Sequence, residues 1–188
     1  MSEDKKKTTI VNLFGGAGCG KSTLAAGIFE ALKMKHKNVE LVTEFIKKWA
    51  HEGRFPKWSD QVYILGNQMR EESVLYGRAD VIITDSPIWL PAFYQQKFNN
   101  KNSMEIAIRS LVKEVEEEGM EYVNFWLEKI DEFQTEGRYQ TKEEAHKLHD
   151  DLKEYLQKTV GLTLIDMPAD HDTRKDLIIK EIEKIKGW

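Results

Sequence analysis

Eight consecutive residues, Gly15-Gly16-Ala17-Gly18-Cys19-Gly20-Lys21-Ser22, constrain the fold more than any other stretch of the chain. They follow a short, β-branched and almost continuously apolar run, Thr8 to Gly15, and precede a segment with helical apolar spacing, Ser22 to Lys35. The first pattern suits a strand buried on both faces of a parallel sheet. Glycines at the turn let main-chain N–H groups wrap an anion and accept positive φ. The helix that follows adds the partial positive charge of its N-terminus.

The octet fits the Walker A pattern G-x-x-x-x-G-K-[ST], with a strand before it and a helix after it. On that pattern Gly15, Gly16, Ala17, Gly18, Cys19, Gly20, Lys21, Ser22 and Thr23 cradle the phosphates of a nucleotide. Lys21 reaches the β- and γ-phosphates and Ser22 ligates Mg²⁺. Cys19 sits at a variable position. It reads as a small filler residue, with a redox-sensitive thiol as the alternative.

Four further β-rich runs follow: Val39 to Phe45, Val81 to Ser86, Tyr122 to Lys129 and Leu162 to Met167. Helical patterns lie between them, at residues 60–77, 104–119, 142–158 and from Asp172 to about Lys186. Ser59 and Ser103 read as N-caps, and Thr141 with Glu144 as a capping box. The stretch from Phe45 to Pro56 reads as short helix or irregular chain, and the one from Pro87 to Ser103 as irregular. Alternating strands and helices predict right-handed crossovers and a parallel sheet covered on both faces, a single three-layer α/β/α domain over residues 1–188.

Composition narrows the function. Lys plus Arg number 28 and Asp plus Glu 32, a net charge of −4, which argues against a protein devoted to non-specific duplex binding. One cysteine excludes an internal disulfide and a Cys-rich zinc site. No apolar run approaches the roughly 20 residues that span a bilayer, and the opening MSEDKKK lacks an apolar signal core. The expectation is a soluble protein of a reducing cytoplasm, with no membrane partner.

In open parallel sheets ligands bind outside the carboxyl ends of the strands. Asp85 ends the third strand and reads as a Mg²⁺ carboxylate or as a proton acceptor, with Ser86 beside it. Glu44 ends the second strand and reads as a general base for an attacking hydroxyl, or as a grip on a sugar hydroxyl. Gln61 and Gln68 are seven apart on one helix face, with Asp60 and Asn67 on the next, so they read as substrate amides or as an ordinary amphipathic helix. The polar segment Glu132 to Thr141 reads as a lid-like loop near 133–142, with Arg138 available to neutralise a transferring phosphoryl group. His146 and His149, beside Asp150 and Asp151, read as a solvated helix face rather than a metal site. Trp49, Trp58 and Trp89 either stack on a base or pack under loops. Lys47, Lys48, Arg54 and Lys57 make the region after the second strand basic.

Taken in order, VNLFGGAGCGKSTLAAGIF, LVTEF, DQVYILGNQ, VIITDSP and EGRYQT resemble P-loop kinases of the nicotinamide-riboside-kinase-like group, and phage-encoded P-loop ATPase or kinase proteins. The resemblance covers roughly Thr8 to Met167. It implies a five-stranded sheet of order 2-3-1-4-5, with ATP and Mg²⁺ at Gly15 to Ser22. It also implies an acceptor-side acid at Glu44, an acid at Asp85, a lid arginine at Arg138 and an adenine pocket formed by Asp166 to Arg174. Ser86 and Pro87 stand where some relatives carry other residues, so the division of metal and base roles between Asp85 and Glu44 stays open. Beyond Walker A the chain carries no signature of an AAA+ ring. Three functions follow as expectations: transfer of the ATP γ-phosphate to a small nucleoside- or nucleotide-like acceptor, transfer to a hydroxymethylated pyrimidine in DNA, or a non-catalytic nucleotide-dependent switch.

Overall fold

The computed structural model describes residues 7–130 and 142–188. Its centre is β1 (Thr9–Phe14), buried at every position. A strand with no solvent face needs cover on both sides, and apolar side chains alternate to provide it. Val11 and Leu13 join Leu24, Ile28, Ile178 and Ile182 on one face. Phe14 joins Trp89, Phe93 and Trp126 on the other. The helices α1 (Lys21–Met34) and α7 (His171–Lys186) supply the first cover. The second comes from α3 (Asp60–Ser73), α4 (Leu90–Asn99), α5 (Ser103–Glu117) and α6 (Lys142–Glu154), the last running into a π-helical segment, Tyr155–Val160. A short α2 (Lys47–His51) lies between β2 (Val39–Val42) and α3.

The sheet is completed by β3 (Val81–Thr84), β4 (Glu121–Leu127) and β5 (Ile165–Met167). The order is β2-β3-β1-β4-β5 and each pairing is parallel. This is the fold expected from the strand–helix alternation and the order implied by the resemblance. All carboxyl ends therefore point to one edge, the edge at which β1 delivers Gly15 to Ser22. The polar Asn12 and Thr84 pair across β1 and β3, and Asn12 donates to Asn124 on β4 at 2.8 Å, so a polar row crosses the buried centre of the sheet.

Several boundaries differ from the sequence expectation, each for a local reason. Residues 90–99 form α4 where irregular chain was expected. Pro91 falls in its first turn, where a missing N–H costs nothing, and Leu90 and Phe93 anchor the helix to the core. Ser59 holds the N-cap position of α3 without a side-chain capping bond, and Ser103 is the first residue of α5 with Asn102 at the cap position. Instead Asp60 Oδ2 accepts the Lys57 N–H at 2.8 Å, and Gln95 Oε1 on α4 accepts the Met104 N–H at 3.0 Å. α3 stops at Ser73 because the following turn is tied down by Thr8. The Thr8 hydroxyl accepts the Gly77 N–H at 2.9 Å and donates to the Ala79 carbonyl at 2.7 Å. β5 begins at Ile165 rather than Leu162, whose N–H is spent on the Leu156 carbonyl at 2.9 Å, closing the π-helical segment. Thr141 lies outside the described residues, so the expected capping box does too.

Candidate phosphate-binding site

The turn from β1 into α1 takes φ of 89° at Gly18 and 74° at Gly20, values that side chains with a Cβ rarely adopt. Within the loop the Cys19 N–H reaches the Gly16 carbonyl at 3.4 Å. Gly20 opens α1, and its carbonyl accepts the Leu24 N–H at 2.9 Å. Ser22 and Thr23 follow Lys21 in the first turn, Ser22 half-buried and Thr23 exposed. The Lys21 ammonium bridges the Gly15 and Gly16 carbonyls at 2.8 and 2.9 Å, so it is held across the start of the loop. Cys19 is buried, as a filler residue would be. Burial also holds its thiol above the ordinary cysteine range, against the pull of Lys21.

Two side chains that the sequence reading did not assign to the loop brace it from either side. His149 corrects the expectation of a solvated helix face. It is 2% exposed, its ring meets Trp126 edge-on at 4.4 Å between centroids, and its Nδ1 accepts the Gly16 N–H at 3.0 Å. The Cys19 sulfur lies 3.3 Å from the same nitrogen. Burial, with Lys129 nearby, lowers the imidazole pKa to about 4, so the ring is neutral and its Nδ1 lone pair stays available. The contact is tight enough to require glycine: a Cβ on Gly16 would stand 2.8 Å from His149 Cβ. His146 stays half-buried, and among the described residues no group of three or more His, Cys, Asp or Glu converges as a metal centre. On the other side Arg174, in the first turn of α7, brings Nη2 within 2.6 Å of where a Gly20 Cβ would sit.

The strand-end carboxylates gather at the same edge. β2 stops at Val42, so Glu44 occupies the loop just beyond it. Burial raises the Glu44 pKa; Lys21 and Lys47 oppose that shift and Asp85 adds to it. The ammonium and both carboxylates therefore feel one another. Asp85 is 2% exposed and its Oδ1 has no hydrogen-bond partner among the described residues. Tyr94, on α4, belongs to this neighbourhood: burial and the Glu44 charge push its phenol up to about 12. The expectation of irregular chain there hid it.

The remaining candidates disperse. Gln61 and Gln68 are both buried on the inner face of α3. Gln68 donates to Thr84 Oγ1 at 3.1 Å and to Glu72 Oε1 at 3.3 Å, so it steadies the residue that precedes Asp85. Asn67 donates to the Tyr63 carbonyl within its own helix. Trp49 and Trp89 are buried and pack, the first stacked on Tyr63 with the Arg54 guanidinium 3.5 Å over its ring, whereas Trp58 is 55% exposed. Arg138 and the expected lid lie outside the described residues.

An AAA domain profile matches residues 10–174, the stretch that carries the glycine loop, Lys21 and the acids after β2 and β3. The chain belongs to the AAA domain family. No curated protein sequence matches it. Among solved structures it is similar to NadR in complex with NAD and AMP-PNP, at 16% identity and a TM-score of 0.66, covering 96% of this chain and 50% of that one. A second NadR structure, in complex with NR, superposes equally well. Deoxyadenosine kinase from M. mycoides, solved with the products dCMP and dCDP, is similar at 17% identity and a TM-score of 0.60, covering 94% of this chain and 99% of that one. At these identities the likeness is one of fold. The chain spans about half the length of the NadR chains it matches. Among the described residues no helix of this AAA domain protein is long and apolar enough to cross a membrane.

Proposed function

We propose that this protein is an ATP- and Mg²⁺-dependent phosphotransferase of the cytoplasm that moves the γ-phosphate to a nucleoside- or nucleotide-like acceptor. One observation carries the reading: the parallel pairing of β2, β3 and β1 brings Glu44, Asp85 and Lys21, which follow those strands, to one edge beside the phosphate loop. A nucleotide-binding switch needs the loop and the lysine, whereas phosphoryl transfer also needs a base for the acceptor hydroxyl. NadR and deoxyadenosine kinase, whose solved complexes hold AMP-PNP, NR and deoxynucleotides, support the choice of acceptor class.

The roles follow from chemistry. Loop amides and the α1 N-terminus hold the phosphate chain, and Lys21 exchanges the Gly15 and Gly16 carbonyls for phosphoryl oxygens. The unpartnered Oδ1 of Asp85 and the Ser22 hydroxyl are hard oxygen donors that fit Mg²⁺. Bound there, the ion would neutralise charge on the β- and γ-oxygens. Glu44 takes the proton of the acceptor hydroxyl as its oxygen attacks the γ-phosphorus and ADP leaves. Burial raises the Glu44 pKa and so strengthens it as a base, while Lys21 pulls the other way. Gln68 acts on the acceptor side only through Thr84, the residue before Asp85. Arg138 would add charge to the transferring group.

A second reading has one observation in its favour. Trp58, at 55% exposure, and Phe55, at 65%, lie in the same stretch of chain as exposed Lys47, Lys48 and Lys57, a composition suited to a nucleic-acid strand that carries the acceptor base.

Glu44→Gln separates catalysis from switching. ATP affinity should stay within about twofold, while kcat for transfer falls about a hundredfold or more, the usual contribution of a positioned base. Transfer at the wild-type rate would overturn the assignment of Glu44 and favour a switch.

A further inference from the structure

The corner where β1 turns into α1 concentrates positive charge from two helix starts and two cationic side chains. α1 begins at Lys21 and α7 at His171, and the contact between Gly20 and Arg174 brings the two helix starts together. Each start carries partial positive charge, and a cation there is unfavourable. Lys21 adds an ammonium. Arg174 adds a guanidinium that is 1% exposed, with Nε and Nη1 lacking any hydrogen-bond partner among the described residues. The Cys19 thiol and the Asp170 carboxylate both pull on it. That carboxylate already serves as the α7 cap, accepting the Thr173 N–H at 2.8 Å.

A buried guanidinium with two orphaned donors is strongly unfavourable unless an anion meets it. The residues it touches identify the anion. Gly20 lies inside the phosphate loop, between Cys19 and Lys21, at the start of the helix expected to hold the α- and β-phosphates. A planar guanidinium suits bidentate contact with phosphoryl oxygens. The family resemblance gives the segment Asp166 to Arg174 to the adenine ring; its last residue lies against Gly20 of the phosphate loop.

We propose that Arg174 is a ligand of the nucleotide's α/β-phosphate chain, supplied by α7 of the same chain. The inference rests on the nucleotide-binding reading above. An α/β contact is made equally to ATP and ADP, so Arg174 secures the nucleotide before and after transfer. In the free protein the same side chain is a liability, and this sets it apart from a structural arginine.

The test uses the full chain with Arg174→Met and Arg174→Lys. Dissociation constants for ATP and ADP are measured by calorimetry, and thermal midpoints are recorded without nucleotide. Arg174→Met should weaken ATP and ADP alike, by about tenfold to a hundredfold, as expected for charge-assisted hydrogen bonds. Its midpoint without nucleotide should match or exceed the wild type, and Arg174→Lys should lie between the two in affinity. Wild-type affinity in Arg174→Met overturns the proposal. So does a lowered midpoint in both variants, which marks a structural role. A wild-type protein that binds neither ATP nor ADP overturns the nucleotide reading itself, and this inference with it.

Discussion

Lys21→Met should reduce kcat/KM for phosphoryl transfer by about a hundredfold to a thousandfold, the scale seen when one preorganised charge-stabilising donor is removed. The fold should survive it. The ammonium donates to two loop carbonyls at 2.8 and 2.9 Å, but it is half-buried and stands at the N-terminus of α1, where a cation is unfavourable. Losing two hydrogen bonds and relieving that repulsion offset each other, leaving a stability change within about 1 kcal/mol. Lys21→Arg should not rescue activity, because a planar fork cannot take the place of a compact ammonium in a turn this tight. Steady-state kinetics beside thermal unfolding check both halves. A variant that loses activity only as far as it loses structure would contradict the assignment.

The second large effect concerns stability and lies away from the loop. Glu72, on the inner face of α3, is fully buried, and burial raises its pKa from 4.5 to about 7 against the hydrogen bond from Gln68. Between those values the folded chain holds a proton that the unfolded chain has lost, so stability falls as pH rises, by about 3 kcal/mol once pH exceeds 7. His149 acts in the opposite sense. Its pKa is lowered from 6.5 to about 4, so the unfolded chain takes up a proton first, and stability falls as pH drops across that window. The two slopes nearly cancel between about pH 4.5 and 6.5. Glu72→Gln keeps the shape and removes one slope. The variant should gain up to about 3 kcal/mol at pH 8, gain nothing at pH 4, and show stability climbing with pH in between. Urea unfolding at several pH values measures this. A variant that parallels the wild type at every pH would show that Glu72 ionises freely.

Much of this fold is legible in the sequence because its signals are local. A buried strand, a glycine turn and an amphipathic helix are contiguous from Thr9 to Met34, so the loop and its sheet edge follow from neighbouring residues alone. The placement of Glu44 and Asp85 after strand ends at one edge was legible because a parallel sheet sends every strand end to one side. What escaped depends on distant partners. α4 was hidden by Pro87 and Pro91, which read as breaks until Trp89, Leu90 and Phe93 are seen in the core. His149 sits among charged neighbours, yet shares a helical stripe with Ala145, Leu152 and Leu156, all buried. That stripe was the available signal. Arg174 gave none, since only the meeting of α7 with Gly20, far apart in sequence, makes its burial intelligible.

The account stands on transfer of the ATP γ-phosphate to an acceptor aimed by Glu44, and the direct measurement is transfer of labelled phosphate from γ-³²P-ATP with Mg²⁺. The acceptors are a panel of nucleosides and nucleoside monophosphates, with hydroxymethylpyrimidine-containing DNA as a separate arm. Label should appear in at least one small acceptor, and ADP release should rise with that acceptor's concentration. Label in the DNA arm alone would move the acceptor to the polymer. ATP bound by the loop with no label leaving it in any arm would contradict the claim that this is a phosphotransferase.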